Sequence, residues 1–131
     1  MMETINSLGV ALCQIIRAEG LPPATTFYTP NASSLQVGHI VHPRGHAIPR
    51  HAHVPIERRL TTAAEVLLVR RGRCEIDVFD TNRQLVATRE LVEGDIVVLL
   101  EGGHGFRMLE DTVLLEVKQG PYAGPEGREA F

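Results

Sequence analysis

The chain has 131 residues, a net charge of −3, 44% hydrophobic residues and 22% charged ones. That length holds one domain, residues 1–131, with a core of its own, and the composition is that of a folded protein rather than a disordered one. The basic residues are scattered, which argues against a nucleic-acid partner, and no apolar run approaches the roughly 18 residues of a membrane helix.

Ile5, Leu8, Leu12, Ile15 and Ile16 fit a helical stripe. Gly9 interrupts it, however, and Val10 to Arg17 can equally be a strand pairing with a sheet; strand is preferred. Pro22-Pro23 and Pro30-Asn31 mark loops on either side of Thr25 to Thr29. Leu35 to Val41 is a strand candidate, ended by Pro43, Arg44 and Gly45. Val66-Leu67-Leu68-Val69 is an unbroken apolar run, as in a strand covered on both faces. Beyond the Arg71-Gly72 turn, Cys74 to Asp80 alternates apolar and acidic residues, one face inward and one wet. Leu85 to Leu91 follows the Asp80-Thr81-Asn82 loop. Glu93-Gly94-Asp95 then turns the chain into Ile96 to Leu100, and Val113 to Lys118 is the last clear strand. Such spacing predicts an all-β sandwich or barrel. The tail from Gly120, with Pro121, Gly124, Pro125 and Gly127, is expected to be an irregular arm.

Cys13 and Cys74 form neither a CxxC nor a dense disulfide pattern, so they read as buried thiols in a reducing compartment. The N-terminus lacks the marks of a secretion signal, and the expected location is the cytoplasm.

The chemistry concentrates in His51 and His53. Histidines at i and i+2 on a strand point to one face. Glu65 and His104, on neighbouring strands, can converge with them, and three imidazoles plus a carboxylate make a mixed N/O metal site. A cation would satisfy several ring nitrogens that packing alone leaves unpaired. His39, His42 and His46 are expected to be partly exposed strand or loop residues. Gln36 and Tyr122 are candidates to line a cavity. Glu116 is a candidate base and Arg58 a candidate anion-binding residue, with a solvated charged surface as the plainer reading of both.

These residues resemble the cupin superfamily. Its first motif, G-x5-H-x-H-x3,4-E-x6-G, is matched by Gly45, His51, His53, Glu65 and Gly72, with eleven residues between His53 and Glu65 instead of three or four. The second, G-x5-P-x-G-x2-H-x3-N, is matched by Gly94 and Gly102. Leu100 replaces its proline, His104 comes one residue early, and its asparagine has no counterpart at Met108 or Leu109. Gly103-His104-Gly105-Phe106 and Lys118-Gln119-Gly120-Pro121-Tyr122 are similar to small single-domain bacterial cupins, the WbuC-type metalloproteins among them.

The resemblance implies a double-stranded β-helix, a jelly-roll-like barrel, over about residues 35–120, with an arm over 120–131. It implies one divalent ion (Fe, Mn, Ni or Zn) on His51, His53, Glu65 and His104, and a homodimer. The scaffold hosts many chemistries, so function has to come from the site. The leading expectation is a metal-dependent enzyme, an oxygenase or isomerase, acting on a small polar molecule. Metal-free isomerisation or epimerisation of nucleotide-linked sugars by histidine acid–base chemistry is the alternative, and a non-catalytic small-molecule-binding module the third.

Overall fold

The computed structural model describes residues 1–131. Strand β1 (Met2–Ser7) pairs antiparallel with β2 (Val10–Ile16). Leu8 and Gly9 link them at φ 52° and 76°, the positive-φ pair of a tight hairpin turn. Leu8 decides between helix and strand. A helical stripe needs it inside, whereas the turn leaves it 83% exposed.

The remaining strands are β3 (Thr26–Phe27), β4 (Gly38–His39), β5 (Glu65–Arg71), β6 (Arg73–Phe79), β7 (Leu85–Val92), β8 (Ile96–Leu99), β9 (Gly103–Met108) and β10 (Val113–Lys118). They form a five-stranded sheet, β1-β2-β8-β5-β10, a three-stranded sheet, β7-β6-β9, and the short pair β3-β4. Every pairing is antiparallel, and the only helical element is a 3₁₀ turn at Pro125–Gly127. The fold is all-β, as expected. No helix is long and apolar enough to cross a membrane.

Two expectations need correction. The strand read over Leu35 to Val41 shrinks to Gly38–His39, because its only partner is the two-residue β3. The strand face expected for His51 and His53 does not form, since residues 40–64 contain no strand. Pro43, Pro49 and Pro55 interrupt that segment, and each removes an N–H that a sheet ladder would use.

The core lies between the two larger sheets. Cys13, Ile15, Leu67, Val69, Val97 and Leu99 on one side meet Cys74, Ile76, Val78 and Leu91 on the other. At the β5–β6 hairpin, Gly72 has φ 93°, and a Cβ there would collide with the Asp111 carbonyl. This position therefore requires glycine. Asp95 is 1% exposed. Its carboxylate accepts the Ala18 and Val92 N–H groups and the Arg17 guanidinium, each at 2.9 Å.

Cys13 and Cys74 are free and fully buried. Burial pushes the Cys13 thiol up to about 12; burial, then the Asp95 charge, raises that of Cys74. The thiolate is the reactive form. Both cysteines should resist an aromatic disulfide reagent at pH 8 in the native protein and react at once in denaturant. Prompt native labelling would contradict this packing.

Candidate functional site

Cross-strand partners share a sheet face, so register fixes which side chains look into the space between the sheets. In β5 and β10, Glu116 pairs with Leu67 and Lys118 with Glu65, next to Leu114 with core residue Val69. Glu65 is also opposite core residue Leu99 on β8. From the other sheet, His104 pairs with core residue Val78, and Phe106 with core residue Ile76. At one end of the core, its inner face thus changes from apolar to ionisable. Glu65 Oε2 and His104 Nε2 meet there at 3.8 Å, with side chains 20% and 31% exposed.

Ionisable neighbours set the electrostatics of this end. Burial, then the neighbouring Glu116 carboxylate, push the Glu65 carboxyl up to about 7; Lys118 and Arg128 pull it back. Burial lowers the His104 pKa against the opposing pull of Glu116. Two carboxylates, Glu65 and Glu116, and two cations, Lys118 and Arg128, thus act on one another at this end. The influence of Arg128 had no signal in the sequence, because the arm's path over the sheets is a long-range property. That arm is anchored by Phe131, whose ring packs edge-on against Phe79 at 5.1 Å and covers Gly103, where a Cβ would strike it.

Glu65 and His104 offer one carboxylate oxygen and one imidazole nitrogen, a donor pair suited to a borderline divalent ion. With metal–ligand bonds of about 2.0–2.2 Å, adjacent donors stand about 3–3.5 Å apart, so this pair need close by only a few tenths of an ångström. The pair fits as two ligands. His51 and His53 stand apart from it on the exposed 40–64 segment, their rings edge-to-face at 5.4 Å and His51 Nδ1 2.8 Å from the Pro49 carbonyl. No group of three or more His, Cys, Asp or Glu side chains is gathered around one point.

The other histidines are loop and strand-end residues. His39 Nδ1 is 2.7 Å from the Tyr28 hydroxyl, and the His42 and His46 rings stack at 4.0 Å. Tyr122 is 79% exposed, with Lys118 Nζ 6.0 Å from its ring centre.

Two cavities are lined by candidate residues. One, of about 210 Å³, is lined by His104 with Thr62, Ala63, Leu99, Leu100, Glu101 and Gly102. Gly102 has φ 74°, and a Cβ there would collide with the Phe79 carbonyl, so the turn delivering His104 depends on it. Gln36 and Arg58 line a different cavity, of about 590 Å³, and Arg58 is therefore not grouped with Glu65 and His104. Comparison with known proteins adds no relative: no protein-family model, curated protein or solved structure matches the chain.

Proposed function

We propose that the protein is a small cupin-type barrel, a double-stranded β-helix, that holds one divalent metal ion and acts on a small polar molecule at the open end of its core. One observation carries the reading. Glu65 and His104, singled out by separate motifs, stand on opposite sheets with 3.8 Å between their polar atoms. His51 and His53 would complete the ligand set if residues 40–64 close over this end. That closure would also cover Ile40, Ile48, Val54, Ile56 and Leu60, all exposed otherwise. Metal binding and local folding would then be one event.

The ion (Fe, Mn, Ni or Zn) would supply Lewis-acid polarisation of a substrate oxygen when bound. The chain's own part is proton handling and orientation. Glu116, opposite core residue Leu67 in register, would exchange a proton with a substrate atom, as a general acid or base does. Lys118, beside Glu65 in register, supplies the positive charge that would hold an anionic substrate group. We further infer a cytoplasmic homodimer. Its support is the two free thiols and the unpaired edge of β10, with Val113, Leu115 and Val117 exposed.

Metal analysis of protein purified without added ions tests the proposal. The expected result is near-stoichiometric metal in the wild type and its loss in His104→Ala, Glu65→Ala and His51→Ala. Full metal in His51→Ala would remove the His51/His53 pair from the ligand set. A wild type that neither retains nor takes up metal would sink the metal reading. The Glu65–His104 contact would then favour the second one, metal-free isomerisation or epimerisation, with these two side chains exchanging protons with substrate.

A further inference from the structure

We infer that the cavity beside Arg58 is a second binding pocket, for a small polar molecule carrying an oxyanion head, carboxylate or phosphate. Its volume of about 590 Å³ falls within the roughly 300–1,000 Å³ range of small-molecule sites. Three stretches distant in sequence build it: residues 31–36, residues 56–60 and Gln119.

The lining has one charge. Arg58 is its only ionisable residue, and none of the chain's ion pairs engages it. A guanidinium engaged in no ion pair presents a planar fork of donors that matches an oxyanion bidentately. Ser33, Ser34, Asn31 and Gln119 line the cavity with it, and Ile56 and Leu60 give apolar wall. That mixture suits a hydroxylated carbon skeleton behind the anionic head.

The wall holding the serines is built in advance. Gln36 Nε2 donates to the carbonyls of Pro30, Asn31 and Ser33, at 2.9, 3.4 and 3.0 Å. Thr29, 5% exposed, accepts the Val37 N–H through its hydroxyl at 3.0 Å. Gln36 therefore shapes the 30–36 turn rather than offering its amide to a ligand. Such preorganisation lowers the ordering cost of binding. Neither Glu65 nor His104 lines this cavity; the pocket belongs to the metal-free arrangement of residues 56–60.

Titration of chelator-treated, ¹⁵N-labelled protein with inorganic phosphate and, in parallel, with acetate tests the pocket. Saturable shifts should be confined to residues 31–36, 56–60 and 119, leaving Glu65 and His104 unmoved. The anion that saturates identifies the head group. Arg58→Gln should weaken binding about tenfold, the loss of one charge-assisted pair, and Ser33→Ala several-fold, while Arg59→Gln should leave it unchanged. Absence of saturable shifts with either anion would overturn the inference. So would equal losses in the Arg58 and Arg59 variants, which mark general surface attraction.

Discussion

Asp95→Ala is expected to destabilise the protein by about 3–5 kcal/mol, the cost of leaving two amide donors unpaired and losing a charge-assisted bond. The carboxylate is 1% exposed and receives the Ala18 and Val92 amides and the Arg17 guanidinium, all at 2.9 Å. It joins the end of β2 to the turn between β7 and β8. The Asp95 backbone contributes too, its carbonyl accepting the Val69 N–H at 3.0 Å. Removing the side chain orphans two amides at the junction of three strands and leaves Arg17 with the Glu90 carbonyl alone. In a domain of this size the melting temperature should fall by roughly 10–20 °C. Asp95→Asn should fall between, since its oxygen still accepts while its NH₂ faces other donors. A loss below about 1 kcal/mol in Asp95→Ala, the worth of a single ordinary hydrogen bond, would mean this junction does not hold the sheet.

Glu65→Gln should move two measurements in opposite directions. Under the metal reading it abolishes stoichiometric ion binding. In chelator-treated protein it should instead stabilise the fold by about 3 kcal/mol at pH 8. The sign follows from proton counting. Folded Glu65 keeps its proton up to about pH 7, held by burial and Glu116, against a starting value of 4.5. Between those values the folded state binds more protons than the unfolded one. Wild-type stability is therefore fully supported below pH 4.5 and declines as pH rises through about 7. Glutamine has no such slope. Urea midpoints for both proteins from pH 4 to pH 8 would read the difference; parallel curves would refute the assigned environment. A residue that costs the fold stability is what a functional centre predicts.

Strand signals were legible wherever they were local. The alternation in Cys74 to Asp80 gives β6, and the Gly94-Asp95 turn leads into β8 with the expected polarity. The motif positions of Glu65 and His104 anticipated a meeting that the register of β5 and β9 produces. β9 itself was missed, because Gly103 and Gly105 dilute an alternation carried only by His104, Phe106 and Met108. His51 and His53 have the spacing of a strand, but the prolines on either side remove amides that would pair it, and no strand forms there. Arg58 and Gln36 share a cavity apart from His104, and that separation depends on how loops fold over the sheets. No local pattern records it.

The strand order also governs how the molecule is made. β2 is complete after Ile16, yet its second neighbour, β8, begins only at Ile96. The last strand of that sheet, β10, must emerge before β5 is flanked on both sides. During synthesis the apolar stretch Val10–Ile16 therefore waits for most of the chain with one edge unsatisfied. Such non-local pairing slows folding toward milliseconds to seconds and leaves the nascent chain prone to association with its copies.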